Sequence, residues 1–254
     1  MRTVASEGFQ FKQFYVRHDR CAMKVGTDGV LLGCWAQPAV NIQNPAFRLL
    51  DIGTGSGLIA LMLAQRFSKA QIEAIDIDTA AVEQAAGNFA ASPWAERLHA
   101  YESRLQEWQA EGPYDLIVSN PPYFRNSLKN PDSGRQTARH TDTLTYDELL
   151  SHSAGLLAPD GRLAVILPAD AEAEMRQRAE KAELVVTRIT RVFSKETKPA
   201  RRVLLAFEKS KYRYTDISTY QTSGEPVLED TLVLENETGG RSAAYQEITK
   251  DFYL

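Results

Sequence analysis

The sequence has little cysteine: Cys21 and Cys34 are the only two in 254 residues. Their spacing fits neither a zinc site nor a redox pair, so two free thiols are expected. There is no apolar run of the ~18–20 residues that a membrane helix needs. The N-terminal stretch carries Arg2, Glu7, Phe9, Lys12 and Phe14 in place of a signal peptide's apolar core, so a cytoplasmic protein is expected. A positive excess is also missing. Lys and Arg number 29 against 33 Asp and Glu, a net charge of −4, which excludes a general nucleic-acid coating protein but not a local basic patch. The four histidines, His18, His99, His140 and His152, are scattered, and the acids form no ligand cluster. No metal is expected. Repeats and low-complexity tracts are absent too, and no obligate protein partner is evident.

The positive charge that is there is clustered. Arg188, Arg191, Lys195, Lys198, Arg201 and Arg202 stand against the single acid Glu196. Arg125, Lys129, Arg135 and Arg139 stand against Asp132.

From Phe47 onward, short apolar runs alternate with helical patterns. Strands are expected at 48–52, 71–77, 98–102, 114–119, 162–167, 184–193 and 203–207. Helices are expected at 58–67, 80–91, 146–157 and 171–182, with Pro159-Asp160-Gly161 as a turn closing the third. A further strand at 231–234 and a helix at 242–252 are the regular pieces of a less regular C-terminal region. Near-continuous apolar strands alternating with helices imply a parallel sheet covered on both faces. Ligands of such sheets bind beyond the carboxyl ends of the strands. The loops after Ile52, Ile77, Glu102 and Ser119 should therefore converge on one cleft. Residues 1–45 precede the pattern and read as a short N-terminal lid or cap on a domain of residues 46–254, the two forming one compact unit.

The first loop is Asp51-Ile52-Gly53-Thr54-Gly55-Ser56-Gly57, between a strand and a helix. Glycines let the backbone turn tightly and let a ligand approach closely. A dinucleotide loop would hold a pyrophosphate at the helix N-terminus. Here Asp51 closes the strand, and its carboxylate repels a pyrophosphate while suiting a cationic ligand. S-adenosylmethionine, with an ammonium and a sulfonium, is preferred to NAD on that ground. Asp76 ends the second strand about 20 residues later, where an acid accepts from ribose hydroxyls. Asp78 suits the N-cap of the next helix. In the third loop Glu102 or a backbone group is the candidate acceptor near the adenine.

The fourth strand runs into Asn120-Pro121-Pro122-Tyr123. Two prolines fix φ and remove two amide donors, leaving a stiff loop with unopposed carbonyls. Those carbonyls and the Asn120 side chain can accept both hydrogens of a planar –NH₂ group. Gripping them favours pyramidal nitrogen and frees the lone pair for a methyl group, with positioning and charge stabilisation carrying the catalysis. No strong base is required, because the proton leaves after transfer. Tyr123 can stack on a planar substrate. The motif alone leaves adenine, guanine N2 in ribosomal RNA and the amide of a protein glutamine open.

Over roughly residues 28–207 the sequence resembles the Rossmann-fold class I methyltransferases. More narrowly it resembles the bacterial tRNA(Val) adenine-N6 methyltransferase family. The likeness is carried by residues 9–14, 18–29, 92–97, 120–123 and 202–207 and by Phe252-Tyr253. It implies a Rossmann-like, seven-stranded, mostly parallel α/β sheet with one antiparallel edge strand. It implies S-adenosylmethionine as methyl donor, S-adenosylhomocysteine as product, and the adenine immediately 3′ of the anticodon as target. Carried over by motif, Asp51, Gly53, Gly55 and Gly57 would hold the methionine part and Asp76 the ribose. Asn120 and Pro121 would grip the adenine N6, with Tyr123 stacked on the base. Lys24 and Thr27 belong to a segment that lies over the cofactor in this group, although Thr27 equally suits the cap of a helix at 28–36. The family commonly carries an aspartate in the third loop, where Arg104 stands here. The anticodon stem-loop would meet Arg125, Arg135 and Arg139 near the pocket, and Lys195, Lys198 and Arg201 further out.

Overall fold

The structure is a computed structural model that describes residues 7–21, 23–39, 47–122, 144–210 and 226–253. It opens with a two-stranded hairpin, β1 (Gly8–Gln10) and β2 (Tyr15–Arg17), followed by helix α1 (Thr27–Trp35). Strand β3 (Arg48–Ile52) leads to α2 (Leu58–Arg66), β4 (Gln71–Asp76) to α3 (Thr79–Ala90), and then come β5 (Leu98–Glu102) and β6 (Tyr114–Ser119). Helix α4 (Tyr146–Leu156) precedes β7 (Leu157–Pro168), and α5 (Glu172–Lys181) precedes β8 (Leu184–Phe193) and β9 (Ala200–Lys209). Strand β10 (Leu228–Val233) and helix α6 (Ala243–Thr249) complete the described elements.

The large sheet has eight strands, not seven, in the order β10-β8-β9-β7-β6-β3-β4-β5. Strand β9 alone runs against the rest, pairing antiparallel with β7 and β8. The reversal lies toward one side of the sheet but not on its outermost strand, because β8 and then β10 continue the sheet beyond it. The extra strand comes from the C-terminal region, where 228–233 pairs in register with 188–193.

Alternate side chains along each central strand enter opposite cores, as a pleat of period two requires. Leu49, Leu116, Val118, Ala164 and Ile166 join the layer under α1, α2, α3 and α6. Leu50, Ile117, Leu163 and Val165 join the layer under α4 and α5. Helices therefore cover both faces, and that is why these strands read as unbroken apolar runs. The N-terminal segment is part of the first core: Phe11, Phe14 and Val16 are buried in it with residues 30–36.

Local signals set the helix starts. Asp78 caps α3 by accepting from the Ala80 amide at 3.0 Å. Thr145 and Glu148 form a reciprocal capping box on α4. Helix α1 begins at Thr27 itself, with Gly26 as its N-cap and no side-chain cap, so Thr27 does not cap it. Pro159-Asp160-Gly161 does not separate a helix from a strand. Strand β7 already begins at Leu157, opposite Tyr114, and the three residues fall within a register shift before Arg162 pairs with Leu116. Cys21 and Cys34 are both free. Among the described residues no helix is long and apolar enough to cross a membrane.

The chain closes on itself at the hairpin. The Lys12 amide donates to the Phe252 carbonyl at 2.8 Å and Lys12 Nζ to the Lys250 carbonyl at 2.6 Å. Phe11 stacks on Phe14 and on Tyr253.

Candidate active site

Chain order reverses direction between β3 and β6: from β3 the sheet grows one way through β4 and β5, then the other way from β6. Loops at such a switch point diverge and leave a crevice. Register puts Ile52 opposite Ser119 and opposite Ile75, so the glycine loop and Asn120 leave the sheet side by side. The buried Ser119 hydroxyl donates to the Ile52 carbonyl at 2.9 Å and fastens the two loop roots together.

The glycine loop is shaped by its backbone. Gly53, Gly55 and Gly57 have φ of 70°, 55° and 80°, in the left-handed region that favours glycine. A methyl group on Gly53 or Gly55 would meet nothing within 4 Å, whereas one on Gly57 would lie 2.5 Å from Phe89 Cε1. The first two therefore face open space and the third packs against α3. The amides of Gly53 and Thr54 donate to the Ile75 carbonyl.

Asp51 lies beneath the loop, fully buried. Its Oδ2 accepts from the Thr54 hydroxyl at 2.7 Å, while Oδ1 is buried without a hydrogen-bond partner. Burial pushes its carboxyl up to about 7, with the Thr54 hydroxyl working in the other direction. Asp76 braces the loop from the neighbouring strand: Oδ2 accepts from the Gly55 amide at 2.9 Å and Oδ1 from the Asp78 amide at 3.0 Å. Each oxygen retains a second lone pair for a ligand hydroxyl. Glu102 is exposed at the end of β5, paired in register with Asp76.

A cavity of about 520 Å³ opens here, within the range of small-molecule sites. It brings together Gly53, Gly55, Lys24, Thr27, Asn120 and Arg201 from the residues expected by sequence. Asp51, Gly57, Asp76, Glu102 and Pro121 do not line it; the first three support the loop that does. Lys195 and Lys198 stand away from it as well. Tyr123, Arg125, Arg135 and Arg139 lie outside the described residues.

Several residues of the site escape sequence reasoning. Asp28, at the start of α1, pairs with Arg202 of β9 at 2.8 Å across 174 residues of sequence. Asn88 of α3, 4 % exposed, donates to the Ser56 carbonyl in the glycine loop and to the Arg17 carbonyl, both at 2.8 Å, and accepts from the Arg17 amide at 3.0 Å. Gln84, one turn earlier, accepts from the Arg20 amide and donates to Asp19. His18 Nδ1 accepts from the Val25 amide at 3.3 Å, next to Lys24 on the cavity. Asn88 thus ties Arg17 to the glycine loop, and Gln84 holds Asp19 and Arg20 on α3.

A glycine loop over a buried acid, with an Asn-Pro-Pro corner beside it on a switched parallel sheet, defines a Rossmann-like methyltransferase site. The chain belongs to the methyltransferase small domain family, whose model matches residues 39–190. Over nearly its whole length it is similar to proteins named tRNA1(Val) (adenine(37)-N6)-methyltransferase. The protein of that name from Phocaeicola vulgatus is 46% identical over 246 residues, covering 97% of each chain. That from Bacteroides thetaiotaomicron is 42% identical, covering 99% of each. Among solved structures, a protein described as a predicted O-methyltransferase from Agrobacterium tumefaciens superposes with a TM-score of 0.59 at 15% identity, covering 89% of this chain and 96% of that one. The CcbJ methyltransferase from Streptomyces caelestis gives 0.54 at 12% identity, covering 76% and 94%. These two likenesses show the fold.

Proposed function

We propose that this chain transfers a methyl group from S-adenosylmethionine to the exocyclic N6 of the adenine immediately 3′ of the anticodon in tRNA(Val). The observation that carries the reading is that Asn120 lines the same cavity as Gly53 and Gly55. The relatives' names supply adenine and tRNA in place of guanine or glutamine.

The residues fit the cofactor. Gly53 and Gly55 present open backbone, and the Asp51 carboxyl beneath the loop, when ionised, favours a cationic ammonium above it. Asp76 retains lone pairs for ribose hydroxyls and Glu102 stands beside it for the adenine end, with Lys24 and Thr27 over the site. When bound, S-adenosylmethionine supplies an electrophilic methyl on a sulfonium and leaves as S-adenosylhomocysteine. No metal is required.

Asn120 Oδ1 and the carbonyl that precedes the second proline accept the two N6 hydrogens. The nitrogen lone pair leaves conjugation with the ring and points at the methyl. Pro121 and Pro122 keep that corner rigid, and Tyr123 stacks on the base. The surplus proton departs from nitrogen after transfer. The anticodon stem-loop is held by Arg125, Arg135, Arg139, Lys195, Lys198 and Arg201 through its phosphates. Residues 1–45 cap the domain formed by 46–254, and the enzyme works in the cytoplasm.

The test is transfer of labelled methyl groups to bulk tRNA from a host lacking the gene, followed by nucleoside analysis. Label on N6-methyladenosine is expected; label on guanosine, or on glutamine of a co-purified protein, with none on adenosine overturns the reading. Asn120→Ala should lower kcat about 10²–10³-fold while cofactor affinity stays within twofold. Wild-type turnover in that variant would refute the mechanism.

A further inference from the structure

One wall of the cavity comes from beyond residue 190, outside the segment that the family model matches. Val192 and Ser194 supply it from the end of β8, Arg201 and Arg202 from β9, and Leu234 and Arg241 from the region after β10. The part of this wall made by Leu234 and Arg241 follows the eighth strand. Beyond β10, the Leu234 and Glu235 amides donate to the carbonyls of Phe193 and Ser194, which carries the pairing up to the cavity.

The chain then turns back sharply. Gly239 has φ of 86°, Asn236 Oδ1 accepts from the Gly240 amide and the Thr238 hydroxyl, and Glu235 bridges Arg241. The turn returns Arg241 to the cavity. Its guanidinium lies 4.6 Å from the centroid of the buried Tyr245 ring. A stacked guanidinium is held in orientation while its in-plane N–H groups stay available to an anion.

Charge completes the case. The cavity is lined by four cationic side chains, Lys24, Arg201, Arg202 and Arg241, and two acidic ones, Asp28 and Glu235. Asp28 pairs with Arg202, and Glu235 lies 3.8 Å from Lys195. Among the described residues neither Arg201 nor Arg241 has a carboxylate within ion-pairing distance. Two guanidiniums without a carboxylate partner among the described residues exceed what the single carboxylate of the cofactor's methionine moiety would take. They suit a phosphodiester, which accepts paired N–H bonds from a planar fork.

We propose that Arg241, together with Arg201, forms a phosphate clamp on the RNA strand beside the nucleotide whose base enters the cavity. Strand β9 then supplies one half of the clamp, and the turn that follows the eighth strand brings the other half to the cavity. This rests on the RNA reading given above.

The experiment uses the full chain and an anticodon stem-loop transcript. Arg241→Ala, Arg241→Lys and Arg201→Ala are compared with wild type in RNA affinity, KM, kcat, cofactor affinity and thermal unfolding, across a potassium chloride series. Each alanine variant should raise KM for RNA about tenfold, the loss of one charge-assisted contact, with kcat and cofactor affinity unchanged. The slope of log affinity against log salt should become shallower by about one per guanidinium removed. Arg241→Lys should restore the slope but not the whole of KM, because a point charge lacks the fork. An unchanged KM and slope overturn the clamp. So does a drop in activity that merely follows a fall in melting temperature, which would leave Arg241 as packing on Tyr245, and so does a loss of cofactor affinity. RNA that the wild type binds but never methylates sinks the adenine reading and not the clamp. RNA that it methylates with unchanged variant KM sinks the clamp alone.

Discussion

The three glycines of the cofactor loop look alike in sequence and should behave differently when each receives one methyl group. At Gly57 the φ of 80° costs an L-residue about 1–2 kcal/mol. Its new Cβ would also lie 2.5 Å from Phe89 Cε1 and 3.3 Å from Ala85 Cβ, both in side chains buried in the main core. Forcing extra volume into a packed core adds about 1–3 kcal/mol, for a total of about 2–5 kcal/mol. At about 2–4 °C per kcal/mol for a chain of this size, Gly57→Ala should melt roughly 4–20 °C below wild type. Gly53→Ala and Gly55→Ala meet no neighbour within 4 Å and carry only the backbone strain, so their melting points should fall by about 2–8 °C. Their methyl groups instead project where a ligand would pass, and cofactor affinity should suffer most in these two. Calorimetric melting without ligand and titration with S-adenosylmethionine measure both quantities on the same samples. If Gly57→Ala melts within 2 °C of wild type, or Gly55→Ala melts below Gly57→Ala, the division of the loop into a packed end and an open end is wrong.

Asp51 predicts two opposed pH trends. Its folded carboxyl titrates at about 7, above the ordinary carboxylate range, so the fold favours the protonated form. Ligand-free stability from this group is therefore greatest at acid pH and is lost as pH rises toward 7; the difference in melting temperature between wild type and Asp51→Asn should shrink or reverse along that path. Cofactor affinity should rise over the same window, since the ionised form attracts the ammonium, and Asp51→Asn should flatten that titration. Asn88→Ala removes three hydrogen bonds, one buried and two partly buried, and should cost about 3 kcal/mol in urea unfolding. It should also speed amide exchange in residues 17–25 more than in the central strands; equal acceleration everywhere would refute a local brace.

Most of the sheet was legible because its strands are buried on both faces. The expected bounds of β3, β5, β6 and β8 coincide with those observed, and Asp78 caps α3 as its residue type suggests. What failed did so where tertiary pairing overrides local chemistry. Pro-Asp-Gly at 159–161 has the composition of a turn, yet the pairing of Leu157 with Tyr114 draws it into β7. The eighth strand was visible only as a short run at 231–234, because nothing local says that it pairs with 188–193. Asn88 and Gln84 occupy what reads as a polar helix face, and only the docking of residues 17–20 turns that face inward. Spacing cannot reveal a partner 174 residues away, which is how far Asp28 stands from Arg202. Of the candidate site, Gly53, Gly55, Lys24, Thr27, Asn120 and Arg201 share one cavity, whereas Asp51 and Asp76 lie behind the glycine loop, bonded to the Thr54 hydroxyl and the Gly55 amide.

The clasp between the hairpin and residues 250–253 sets a timetable for synthesis. Lys12 and Lys250 are 238 residues apart. At ribosomal speeds of about 5–20 residues per second, the partner arrives roughly 10–50 s after the hairpin is made. Through that interval Phe11, buried in the finished fold, lacks the Tyr253 ring that stacks on it. The sheet core can assemble around β3–β6 meanwhile, and the hairpin gains this clasp only once residues 250–253 have been made.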